Sequence, residues 1–78
     1  MKRLNAILCK VLGIVENSIT DKTSPSNVES WDSFNGLLLV SELEKEFSVK
    51  FTMDEITSVK CVADIKDALK RHGIKAED

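Results

Sequence analysis

The chain of 78 residues has no tyrosine, one tryptophan, one proline, one histidine and two cysteines. Each scarcity removes a class of explanation. Cys9 and Cys61 lie far apart with no CxxC spacing, and His72 is the sole imidazole to accompany them, so the ligand set of a zinc site is missing. The two cysteines read as reduced packing residues. The longest uninterrupted apolar run, Leu37 to Val40, is far too short to span a bilayer. Met1-Lys2-Arg3 leads into a helical pattern interrupted by Asn5 and Lys10, unlike a secretory signal, so the expected location is the cytoplasm. No apolar alternation is long enough for a sheet, and no segment repeats. One histidine without a recognisable triad context leaves no neutral-pH base with which the chain could run chemistry unaided, so it is not expected to be an enzyme.

What remains is ordinary for a globular chain: 42% apolar and 31% charged residues. A unit this short supports one core, so residues 1–78 read as a single domain, expected as a monomer. The net charge of −2 hides an asymmetry. Met1 to Lys10 is basic, whereas Asp32 to Glu46 holds Asp32, Glu42, Glu44 and Glu46 against Lys45 alone. That acidic stretch suits basic protein partners and disfavours nucleic acid.

Helical periodicity organises the chain. Leu4, Ile7, Leu8, Val11, Leu12 and Val15 make the stripe of one helix over roughly Lys2 to Val15. From Glu16 to Trp31 the periodicity gives way to Asn, Ser, Thr, Asp and Pro25, a long loop with Ile19, Val28 and Trp31 as its anchors. Structureless connections of that length are uncommon in compact domains and usually carry function or pack themselves. A second helix spans about Ser33 to Phe47, with Asp32 as N-cap. Leu39, Leu43 and Phe47 form its inward stripe, while Phe34, Leu37, Leu38 and Val40 widen the apolar surface beyond one stripe, so some must face solvent or a partner. Gly36 costs this helix about 1 kcal/mol relative to alanine, which suggests a close approach there. Ser48 to Phe51 reads as a short extended connection that returns Phe51 to the core. A single helical turn begun by Thr52 follows, then a last helix from about Cys61 to His72. That helix carries Val62, Ile65 and Leu69 inward and stops at Gly73. Lys70, Arg71 and His72 complement its dipole. Cys61 stands where a serine or threonine cap is expected. The architecture is all-α: a small bundle of three main helices and one short one.

One feature of this arrangement carries chemistry. Trp31-Asp32-Ser33-Phe34 sets a lone hydroxyl, Ser33, at a helix start, where unpaired amides and the positive end of the dipole favour a phosphate.

The order of long helix, long loop, Asp32-Ser33-Phe34, acidic helix, short turn and final helix resembles the acyl carrier proteins over essentially the whole chain. Leu39, Leu43, Phe47 and Phe51 fall where that family keeps buried apolar residues, and Val62-Ala63-Asp64-Ile65 is similar to the start of its last helix. The resemblance implies a four-helix carrier whose Ser33 receives 4′-phosphopantetheine from coenzyme A and holds an acyl or aminoacyl cargo as a thioester. Asp32 then serves recognition by the phosphopantetheinyl transferase as well as capping. Phe34, Leu37, Leu38, Glu42 and Glu44 become partner-binding residues facing acyl-loading and acyl-transfer enzymes with basic docking patches, Glu44 foremost and Leu37 beside the tethered arm. Phe34 replaces the usual leucine, Leu38 stands where fatty-acid carriers tend to have an acid, and Gly36 and Ser41 replace larger residues. These departures imply a specialised discrete carrier serving a polyketide, peptide, aminoacyl or surface-polysaccharide pathway. The competing reading of the same residues is an unmodified helical adaptor that binds a partner through its second helix.

Overall fold

In the computed structural model, which describes residues 2–74, the apolar stripe of the first segment folds as helix α1, Lys2–Leu12. It stops at Leu12 and not at Val15. Gly13 adopts a left-handed φ of 67° and its N–H closes on the Cys9 carbonyl at 2.9 Å, so the chain turns away before the stripe is exhausted. Ile14 still packs against the core, whereas Val15 is exposed. The periodic pattern overshot because a loop residue can satisfy the same apolar demand as a helical one.

Residues 13–31 form the expected long loop and carry within it a 3₁₀ turn, Glu16–Ser18, that no apolar period marks. The rest of the loop is packed by its own polar side chains. Thr23 Oγ1 accepts from the Thr20 N–H at 2.9 Å, Asn27 Oδ1 accepts from the Ser24 N–H at 3.1 Å, and Asn27 Nδ2 donates to the Lys22 carbonyl at 3.0 Å. Thr23 and Ser24 are thereby buried without orphaned groups. Ile19, Val28 and Trp31 anchor the loop to the core as expected.

Helix α2 spans Ser33–Phe47, α3 spans Met53–Ser58 and α4 spans Val62–Arg71. There is no strand among the described residues. α1 packs on α2, and the core joins Leu4, Leu8 and Leu12 of α1 to Leu39, Leu43 and Phe47 of α2, Val62, Ile65 and Leu69 of α4, and Trp31. The α2 chain reverses through Ser48, whose φ of 54° makes it the one non-glycine left-handed residue among those described. α3 begins with a complete capping box: Thr52 Oγ1 accepts from the Glu55 N–H at 3.2 Å, and the Glu55 carboxylate accepts from the Thr52 N–H at 2.9 Å.

The long loop also starts α4. Cys61 supplies no side-chain cap, and its place is taken by backbone: the Val62 N–H donates to the Thr23 carbonyl at 2.9 Å and the Ala63 N–H to the Asp21 carbonyl at 3.1 Å. Lys66 of α4 then pairs with Asp21 at 2.7 Å, which lowers the Asp21 pKa through that hydrogen bond and the lysine's charge. α4 ends as expected at Gly73, whose φ is 86°. The loop therefore links the end of α1, the start of α2 and the start of α4.

Candidate functional site

Ser33 owes its position to both sides of the helix boundary. Before it, Ser30 Oγ donates to the Leu12 carbonyl at 2.6 Å and the buried Trp31 ring pins the chain to the core. After it, Asp32 caps α2 as expected, its extended backbone (φ −105°) aiming Oδ1 to accept from the Asn35 N–H at 2.9 Å. Asn35 Nδ2 reaches back to the Ser30 carbonyl at 2.7 Å, bracing the turn from the helix side.

The result is an exposed serine on a rigid mount. Asp32 satisfies the Asn35 and Gly36 amides, the latter through its carbonyl at 2.8 Å. The amides of Ser33 and Phe34 and the Ser33 hydroxyl have no partner among the described residues. Two free N–H donors at the positive end of a 15-residue helix beside a free hydroxyl fit a phosphodiester there.

Ser33 opens onto a cavity of about 570 Å³ that runs between α2, α3 and α4. Trp31 and, at the start of α2, Ser33, Gly36 and Leu37 line it together with Leu39, Val40 and Leu43 further along the α2 wall, Ile56 and Val59 on the α3 side, and Ile65 and Ala68 on the α4 side. Its volume lies within the roughly 300–1,000 Å³ of small-molecule sites. Phe51 lies along this wall and leaves the space open, while Phe47 is buried elsewhere under the Arg3 guanidinium, 4.5 Å from its ring centroid.

Gly36 does not meet the close approach expected of it. A methyl group added there would have the Trp31 indole nitrogen as its nearest neighbour at 3.7 Å, an ordinary van der Waals contact.

Beyond Ser33, the outer face of α2 bears the expected apolar surface: Phe34 is 69% exposed, Leu37 63% and Leu38 40%. The acidic residues beside it are engaged within the chain. Glu42 pairs with Lys10 at 3.2 Å and Lys45 at 3.8 Å, and Glu46 pairs with Arg3 at 3.4 Å. Glu44 Oε2 accepts the Phe51 N–H at 2.8 Å and so holds the connection that brings α3 back over the cavity. Sequence alone gave no reason to assign Glu44 this structural task.

His72 does more than complement the dipole at the end of α4. It is half-buried, with Nε2 3.0 Å from Glu55 Oε1 and its ring edge-on to Phe51 at 5.3 Å. The Thr52 amide first, and the His72 bond second, hold the Glu55 carboxyl well below its usual 4.5, at about 2. Arg71 adds an ion pair to Glu55 at 3.7 Å. This cluster fastens α3 to the end of α4 and was invisible in the sequence, where Glu55 and His72 are 17 positions apart.

Comparison with known proteins agrees with this architecture. Residues 2–69 match the family described as the phosphopantetheine attachment site. The chain is 27% identical over 71 residues to an acyl carrier protein of Buchnera aphidicola subsp. Baizongia pistaciae, covering 91% of each sequence. Its fold is similar to that of a solved structure from Mycobacterium tuberculosis assigned as an acyl carrier protein, with a TM-score of 0.81 at 22% identity, over 91% of this chain and 95% of that one. The fold, the family match across most of its length and the acyl carrier relative together establish that the chain belongs to the phosphopantetheine-binding acyl carrier family: it is a carrier, not an enzyme, and its cofactor is covalent 4′-phosphopantetheine.

Proposed function

We propose that this chain acts as a single carrier domain in which Ser33 bears the 4′-phosphopantetheine and presents acyl or aminoacyl cargo to partner enzymes. The observation that carries this reading is the free Ser33 hydroxyl beside two unpaired amides on the lining of an apolar cavity. When bound, the group supplies a terminal thiol that holds cargo as a thioester. The Ser33 oxygen would form its bond to the phosphorus nearer the pantetheine in coenzyme A, the pyrophosphate bond would break, adenosine 3′,5′-bisphosphate would leave, and the serine proton would pass to a base of the transferase.

This chain's own contribution is placement. Asp32 is committed to capping, and His72 to Glu55, so neither serves as the base. The Ser33 and Phe34 amides hold the phosphate's charge, and the packed loop keeps the hydroxyl outward for a separate transferase. Phe34, Leu37 and Leu38 supply the apolar part of the docking face for that transferase and for acyl-handling enzymes. Asp32, Glu42 and Glu44 supply an acidic part that basic patches on those partners could read. Leu39, Leu43 and Ile65 give cargo that turns inward an apolar lining.

The test is intact mass after incubation with coenzyme A, Mg²⁺ and a broad-specificity phosphopantetheinyl transferase, with Ser33→Ala alongside. A gain of one phosphopantetheine on the parent and none on the variant is expected. No gain on either chain, with the transferase active on a control carrier, would overturn the reading and favour the unmodified adaptor.

A further inference from the structure

The cavity lining contains a donor that the carrier reading leaves unused. Trp31 is only 7% exposed, yet its indole N–H finds no acceptor among the described residues. The nitrogen is nevertheless not sealed in the core, because no fully buried side-chain nitrogen or oxygen among them lacks a partner. It borders the cavity at Gly36, where the absent side chain leaves it uncovered. A donor on a mostly buried ring, without a protein acceptor and open to a cavity, is placed to donate to an acceptor that enters there.

Resting on the assignment of Ser33 as the attachment residue, the geometry points to Trp31 and Gly36 as a binding ledge for the tethered arm, with the indole N–H donating to the amide carbonyl nearest the phosphate. Gly36 lies three residues after Ser33 on the same face of α2, within about one helical turn of 5.4 Å. The phosphorus and that carbonyl carbon are separated by five bonds of about 1.5 Å, roughly 6 Å when extended, so an arm turning inward brings this carbonyl to the level of the ledge. The more distant amide would lie deeper, among Leu39, Leu43 and Ile65, where no such donor waits. A methyl at position 36 would meet the indole only at an ordinary 3.7 Å, whereas a larger side chain there would reach over the indole edge and into the path of the arm.

Because Trp31 is the only tryptophan, its indole N–H gives a single resonance in a ¹⁵N-labelled sample of the full chain. The experiment records that resonance and intact mass before and after loading from coenzyme A, for the parent and for Gly36→Val. On the loaded parent we expect a downfield shift, a slowing of indole proton exchange by about fivefold, and a nuclear Overhauser contact from the indole proton to the geminal methyls beside the carbonyl. In Gly36→Val molecules that carry the arm, as identified by mass, these changes should be absent. A loaded parent with an unchanged indole would overturn the ledge and leave Ser33 as the attachment residue. A shift that persists undiminished in Gly36→Val, or that comes without the methyl contact, would assign it to a remote change and also overturn the ledge. Should Gly36→Val not fold, the methyl contact on the parent decides. Absence of any mass gain on the parent would overturn the attachment reading, and the ledge with it.

Discussion

Glu44 separates a structural role from a docking role, and substitution can measure both. Its Oε2 accepts the N–H of Phe51 at 2.8 Å across the turn that returns the chain from α2 to α3. Glu44→Ala removes the acceptor and leaves the half-buried Phe51 amide dependent on whatever water can reach it. A hydrogen bond to a charged group contributes about 1.5–3 kcal/mol; with partial solvent access, the expected loss is about 1–2 kcal/mol. In a domain of this size each kcal/mol moves the melting temperature by about 4–8 °C, so thermal unfolding followed by circular dichroism should show a fall of roughly 4–16 °C. Glu44→Gln keeps an oxygen that can accept the same N–H and should recover at least half of that loss. If Glu44 also steers basic partners, Glu44→Gln should raise the transferase KM at low salt while remaining folded. A Glu44→Ala chain that melts within about 1 °C of the parent would refute the reasoning, because it would mean that the bond contributes no net stability.

Three further outcomes follow from the same geometry. Ser48→Gly should raise stability by about 1 kcal/mol in urea denaturation, since a left-handed φ of 54° strains any residue with a Cβ; an unchanged midpoint would contradict this. Gly36→Ala should also stabilise the unloaded protein, by up to about 1 kcal/mol, because its methyl meets only an ordinary contact; destabilisation would reveal a clash that the structure does not contain. Glu55 is held at about 2 against a usual 4.5. Its contribution is therefore complete above about pH 4.5 and is lost as pH falls toward 2, so stability in Glu55→Gln should decline less steeply across that window than in the parent. Equal slopes would show that the Thr52 and His72 bonds do not hold the carboxylate.

The parts of the fold legible in the sequence are those set by neighbours along the chain. Asp32 and the apolar spacing from Leu39 to Phe47 marked α2 at both ends, Thr52 the start of α3, and Gly73 the end of α4. The end of α1 was not legible from the period because Ile14 and Val15 continue its apolar rhythm past Gly13, whose left-handed turn stops the helix. What was not legible depends on residues meeting across the fold. The carbonyls of Asp21 and Thr23 replace a cap that Cys61 cannot provide, and His72 reaches Glu55 from another helix. No periodicity encodes either contact. The same limit hid the cavity, since its space depends on how Leu39, Ile56 and Ile65 are spaced in three dimensions. Ser33 could be read as a candidate because its chemistry is local: a hydroxyl, a cap and a helix start.

The attachment residue is tested most directly by fragmenting the transferase-loaded chain in the mass spectrometer and reading which residue carries the arm. The account predicts a single phosphopantetheine located on Ser33, among neighbours that include Ser30 and Ser41. An arm on any other residue, or a chain that stays unmodified beside a loaded control carrier, would contradict it.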